Sequence, residues 1–137
     1  MIVVYTKPSS DSCRSAIQWF QDKGIPYLER RICIQCPLSR EELTKILSLT
    51  VNGFDDILSL RSSIYIQIKN RFKNVTYEKA LGLITEFPNL LRLPIIIDFR
   101  TNKVAVGFNE EEISCFLSRQ YKRAARQKYQ KRVGYFI

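Results

Sequence analysis

The sequence contains no histidine. That absence excludes Ser-His and Cys-His nucleophile pairs, histidine-containing zinc sites and imidazole acid–base chemistry. Five scattered glycines (Gly24, Gly53, Gly82, Gly107 and Gly134) cannot build a G-x-G-x-x-G or P-loop phosphate cradle. No uncharged stretch approaches the roughly 18 residues of a bilayer span, and no basic-then-apolar leader opens the chain. Acidic residues are missing from position 119 onward, while seven cations occur there: Arg119, Lys122, Arg123, Arg126, Lys128, Lys131 and Arg132.

The remainder is ordinary for a single soluble domain with a substantial core: 137 residues, 45% hydrophobic and 26% charged. The net charge of +9 is concentrated at the C-terminal end, because the preceding 15 basic residues nearly balance 13 acidic ones. Such an end suits a polyanion, which makes Arg119, Lys122, Arg123 and Arg126 candidate nucleic-acid contacts. A solubilising helix end is the plainer reading of the same charge. Four cysteines without an export signal predict a cytoplasmic protein with reduced thiols.

Hydrophobic periodicity orders the chain. Ile2-Val3-Val4-Tyr5 predicts a buried strand, and Cys13, Ala16, Ile17 and Phe20 form one face of a helix that follows a polar cap at Ser9–Ser12 and stops at Gly24. Tyr27 to Ile34 predicts a second strand, completing a βαβ unit. Ser39-Arg40-Glu41-Glu42 matches a capping box, and further helices are expected to follow Gly53 and over Thr76 to Phe87. Pro94–Asp98 and Lys103–Gly107 predict a hairpin, and Asn109 caps a last helix that no glycine or proline interrupts before Val133. The expected fold class is α/β, a thioredoxin-like mixed sheet with an inserted helical lobe. One domain is expected over 1–118, from sheet-forming parts at about 1–36 and 90–118 and helices at about 37–89, followed by a basic tail or helix extension at 119–137.

Several stretches are more specific: Tyr5-Thr6-x-Pro8-Ser9-x-x-x-Cys13-Arg14, Pro37-Leu38-Ser39-x-x-Glu42, Asp56-Ile57-Leu58-Ser59-x-Arg61-Ser62, Leu90-Leu91-Arg92-x-Pro94-Ile95-Ile96-Ile97-Asp98 and Gly107-Phe108-Asn109-Glu110-Glu111-Glu112-Ile113. Together, collinear over about residues 1–118, they resemble the Spx regulators of the arsenate reductase (ArsC) family. The resemblance implies a protein that binds the C-terminal domain of the RNA polymerase α subunit and alters promoter use under stress. It implies partner contacts at Tyr5 and Gly53 and a cis-proline position at Leu93-Pro94; within the polymerase complex, the basic tail makes promoter DNA a second expected partner. Gly53 also reads as a C-cap ending the helix at 40–50. The apolar Tyr135-Phe136-Ile137 end fits a proteolytic adaptor or protease as a further partner; no membrane, cofactor, metal or catalytic residue is expected.

Two departures qualify the resemblance. The reductase nucleophile would fall at position 10, where this chain has Ser10, and the arginine before the family's proline falls on Leu93. A serine hydroxyl cannot accept arsenate and then form a mixed disulfide, so a non-enzymatic regulator is expected. The alternatives are a residual thiol-dependent reductase and a direct DNA-binding protein. The same serine removes the first-loop C-x-x-C redox pair of typical Spx members. Redox candidates that remain are Cys13, which also reads as the apolar start of a buried helical stripe, and Cys33 with Cys36. That second C-x-x-C spacing allows a disulfide or half of a metal site, and also fits one buried strand cysteine beside one loop cysteine.

Overall fold

Strand alternation generates the two faces of the sheet. In β1 (Ile2–Thr6), Ile2 and Val4 join one hydrophobic cluster while Val3 and Tyr5 face the other. The computed structural model describes residues 1–117. β1 runs parallel to β2 (Leu28–Arg31) and antiparallel to β3 (Ile95–Asp98), which pairs antiparallel with β4 (Lys103–Val106), giving the order β2-β1-β3-β4. This is the mixed sheet expected. β3 is covered on both sides, and Ile95, Ile96 and Ile97 are all fully buried, which is why it reads as an unbroken apolar run.

One face packs against α1 (Asp11–Lys23) and α6 (Glu110–Ile113), where Ala16, Phe20, Ile113 and Phe116 meet Ile2, Val4, Ile96 and Ala105. The other face is covered by the lobe of α2 (Arg40–Ser48), α3 (Phe54–Ile57), α4 (Ser63–Ile68) and α5 (Tyr77–Glu86). Leu43, Ile46, Ile57, Ile68, Leu81 and Ile84 from that lobe enclose Tyr5, Ile95 and Ile97. Polar side chains begin most of these helices: Ser10, Ser39, Ser62, Thr76 and Asn109 each accept a backbone N–H from the first turn. Gly24 closes α1 in the left-handed region, at φ +64°.

Three expectations are corrected. β2 ends at Arg31 instead of reaching Ile34: Ile32 N–H still donates to Thr6 O at 2.8 Å, but the chain then folds back on itself between Cys33 and Cys36. Gly53 does not cap α2, whose C-cap is Leu49; it precedes α3 at φ +64°, ψ −127°. The last helix is interrupted by Leu117, and the tail or helix extension expected at 119–137 lies outside the described residues. α6 passes into a 3-10 turn at Ser114–Phe116 and Leu117 is extended at φ −70°, ψ 135°. Phe116 is buried beside Phe20 (centroids 6.0 Å apart), and Lys103 Nζ donates to the Cys115 carbonyl at 3.0 Å.

Phe20 is fully buried among Trp19, Tyr27 and Phe116. Phe20→Ala is expected to cost about 3–5 kcal/mol in urea unfolding. Leu28→Ala, at a position 56% exposed on the edge strand, should stay within about 0.5 kcal/mol of the parent. Equal losses at the two positions would contradict this packing.

Candidate functional site

The first loop leaves the C-terminal end of β1 and enters α1. Its backbone turns through Ser9 at φ +60°, and Ser10 is the N-cap of α1, with its Oγ accepting the Cys13 N–H at 3.2 Å. The hydroxyl at the reductase position is therefore used to start a helix. Cys13 lies under it, 3% exposed, within the core cluster that includes Tyr5 and Ile32. The apolar-stripe reading of Cys13 describes its surroundings.

The loop borders a surface depression lined in part by Lys7, Ser9, Ser10, Arg14, Glu29 and Arg31. Two of its three cations are already paired. Arg14 meets Asp11, and Arg31 Nε donates to Glu29 Oε2 at 3.0 Å, an oxygen that also accepts the Thr6 hydroxyl at 2.8 Å. Arg92, beside the expected cis proline, does not line this depression. Its guanidinium lies over Gly107, at 3.1 Å from where a Cβ would stand, and borders a shallow hollow with Thr50, Val51 and Asp56. Leu93 is buried, and the Leu93–Pro94 peptide is cis.

Tyr5 does not form part of the open surface. It is 4% exposed, beneath the lobe. Burial raises its phenol pKa, as does the Glu42 carboxylate, while Arg30 works in the opposite direction. Arg30, beside Tyr5 in the β1–β2 register, forms a fork onto Glu42: Nε to Oε2 and Nη2 to Oε1, both at 3.2 Å. The same guanidinium donates to the carbonyls of Arg31 (2.7 Å), Cys36 (3.2 Å) and Pro37 (2.9 Å). Glu42 closes the capping box at the start of α2, accepting Ser39 N–H at 3.1 Å while Ser39 Oγ accepts Glu42 N–H at 3.1 Å. Sequence reading finds the Ser39/Glu42 box but not Arg30, because no local pattern joins residues 12 positions apart.

At the far end of α2, residues 50–53 form a protruding turn. Asp56 organises it, its Oδ2 accepting the N–H groups of Val51 (3.1 Å) and Asn52 (2.9 Å) and its Oδ1 accepting Asn52 Nδ2 (3.2 Å). The Asn52 backbone N–H is the largest influence holding the Asp56 carboxyl below its usual range. Val51 projects from this turn, 92% exposed, and no heavy atom stands within 4 Å of a Cβ built on Gly53. Tyr5 and Gly53 thus differ in kind: one is core, the other is surface. Ser48, at the end of α2, donates its hydroxyl to the Lys45 carbonyl at 2.6 Å.

Cys33 and Cys36 are brought together across a tight turn, whereas Cys13 is buried in the core cluster. Among the described residues no group of three or more His, Cys, Asp or Glu side chains is arranged to hold a metal ion. Arg119, Lys122, Arg123 and Arg126 lie outside the described residues. Among those described, no helix is long and apolar enough to cross a membrane.

The family model of the ArsC family matches residues 5–116. A Lactococcus lactis protein named global transcriptional regulator Spx 1 is 44% identical over 124 residues, covering 90% of this chain and 94% of that one. The chain belongs to the ArsC family, in its Spx branch. A Streptococcus pneumoniae protein, global transcriptional regulator Spx, is 41% identical over 134 residues, 98% of each chain. Among solved structures, an arsenate reductase from Vibrio cholerae superposes with a TM-score of 0.72 at 18% identity, covering 85% of this chain and 97% of its own. At that identity the likeness shows the thioredoxin-like ArsC fold alone. This ArsC-family chain keeps the first loop of the fold while using position 10 as a cap.

The Arg30–Glu42 fork generates a pH dependence. Burial pushes the Glu42 carboxyl up, but hydrogen bonds from Arg30 and from the Ser39 N–H outweigh it and hold the pKa below the ordinary 4.5. A depressed carboxyl stabilises the fold fully above its unfolded pKa, and that stability is lost as pH falls through the folded value. Urea unfolding should therefore show declining stability from about pH 5 downward, with a smaller acid-side decline in Glu42→Gln. An identical acid limb in the variant would contradict the pairing.

Proposed function

We propose that this chain is a non-enzymatic transcriptional regulator that binds the C-terminal domain of the RNA polymerase α subunit and alters promoter use under stress. One observation carries the reading. The hydroxyl at the nucleophile position caps α1 through the Cys13 N–H, and the nearest thiol in that loop, Cys13, is 3% exposed. Reduction of arsenate needs an accessible thiolate to attack the oxyanion and a second thiol to resolve the adduct. A capped serine above a buried cysteine supplies neither. Identities of 41–44% along nearly the full length with proteins named Spx support the regulator reading. The first-loop redox switch is absent for the same reason, since Ser10 offers Cys13 no sulfur.

The partner surface is the turn at residues 50–53. A backbone held by Asp56, an exposed Val51 and a glycine with open space over its Cα allow close approach by another protein. Tyr5 contributes from beneath by filling the core under the Arg30–Glu42 pair. Gly53 adopts φ +64°, ψ −127°, a region that side chains other than hydrogen rarely enter. Gly53→Arg should weaken binding to the purified α domain at least about tenfold, or 1.4 kcal/mol. Undiminished binding by a folded variant would remove this surface from the reading.

The cations from Arg119 onward add a sequence-independent contact to promoter DNA in the polymerase complex. Phosphate contacts release counterions, so affinity should fall with log salt at a slope of about −0.9 per phosphate neutralised. Truncation after Ser118 should lower promoter affinity at low salt and flatten that slope in polymerase–promoter binding assays. If both stay unchanged, the basic end is only solubilising.

A further inference from the structure

Residues 33–36 close a two-residue hairpin at the end of β2. Cys33 and Cys36 face each other as an antiparallel bridge and exchange both backbone hydrogen bonds, Cys36 N–H to Cys33 O at 3.1 Å and Cys33 N–H to Cys36 O at 3.3 Å. In such hydrogen-bonded pairs the Cα atoms stand about 5.5 Å apart and both side chains leave the same face. A disulfide spans Cα separations of about 4.4–6.8 Å, so the backbone already meets its main geometric requirement. Both sulfurs are thiols here, with Cys36 exposed and Cys33 half-buried.

Arg30 fixes the hairpin from behind. Its guanidinium holds the carbonyls of Cys36 and Pro37, so the exit strand of the turn is anchored to β2. Ile34 at the tip is 80% exposed and leaves the turn open to small oxidants. Preorganisation of the two cysteines removes most of the entropy cost that closing a flexible C-x-x-C loop would carry.

We propose that Cys33 and Cys36 are a redox-modification site, a dithiol that closes to an intramolecular disulfide with a peroxide as oxidant. The exposed Cys36 sulfur attacks one peroxide oxygen, forming an S–O bond as the O–O bond breaks; the departing hydroxide takes the thiol proton and leaves as water. The Cys33 sulfur then attacks the sulfenic sulfur, forming the S–S bond and releasing a second water. Two thiols are oxidised and one hydrogen peroxide is reduced, and a small-molecule thiol reverses the change. Arg30 grips both this hairpin and the Glu42 carboxylate at the start of α2, so the bond forms against the same guanidinium that braces the lobe. The site is independent of the polymerase reading, and its failure leaves that reading intact.

The test treats the full, reduced chain with hydrogen peroxide, blocks remaining thiols with iodoacetamide, and measures intact and tryptic masses. The intact protein should lose two hydrogens. The tryptic peptide Ile32–Arg40 should then carry both cysteines unalkylated, becoming alkylatable again after dithiothreitol. Cys33→Ser and Cys36→Ser should each abolish the loss of two hydrogens, whereas Cys115→Ser should retain it. Full alkylation of both cysteines in that peptide, persistence of the loss in either serine variant, or a disulfide from Cys13 instead would each overturn the proposal. Disulfide-linked dimers through Cys36 as the sole product would overturn it as well.

Discussion

The lobe side of this molecule is organised around one guanidinium. Arg30 projects from the edge strand toward the lobe and bonds Glu42 together with three backbone carbonyls between residues 31 and 37. Without it, the turn after β2 and the first turn of α2 would leave carbonyls and a carboxylate without their charged partner near a buried tyrosine. Arginine suits the position because its planar fork serves a carboxylate and several carbonyls at once, which a lysine cannot do. Charge-assisted hydrogen bonds contribute about 1.5–3 kcal/mol each where they are shielded, and less where water reaches them, as it does at this pair.

Two ends of α2 then acquire different tasks. Its N-terminus is fixed by Ser39, Glu42 and Arg30, while its C-terminus presents the turn that Asp56 holds from α3. Rigid elements carrying a preformed exposed turn are what a protein-binding surface needs, since little ordering cost remains on association. The first loop has moved the opposite way. The resemblance makes it the place for a nucleophile, and here Ser10 accepts the Cys13 N–H at the helix end while Arg14 pairs with Asp11.

Much of this was legible in the sequence where the signal is periodic or chemical. The Ile2–Tyr5 and Ile95–Ile97 runs, the stripe Cys13/Ala16/Phe20 and the Ser39/Glu42 box mark elements that the structure contains. What failed depends on tertiary context. The second strand stops early because the chain folds back at Cys33–Cys36, a turn without the Asn-Gly or Asp-Gly pair that announces a hairpin. The last helix gives way after Ile113 to a 3-10 turn whose Phe116 is buried against Phe20, with no glycine or proline to mark the break. Gly53 is visible as special, yet it opens α3 instead of closing α2, in a turn that Asp56 bonds through the Asn52 N–H. Of the candidate site, the absent thiol at Ser10 was plain in the sequence. The burial of Tyr5 and the central place of Arg30 emerge only when β2 is laid beside β1.

On the proposed reading this ArsC-family fold acts by binding polymerase and not as an arsenate reductase. Reconstituted transcription with polymerase carrying or lacking the α C-terminal domains tests it most directly. The reduced chain should shift the ratio of products from competing promoters only when those domains are present. An equal shift with the truncated polymerase, or none with either enzyme, would contradict it.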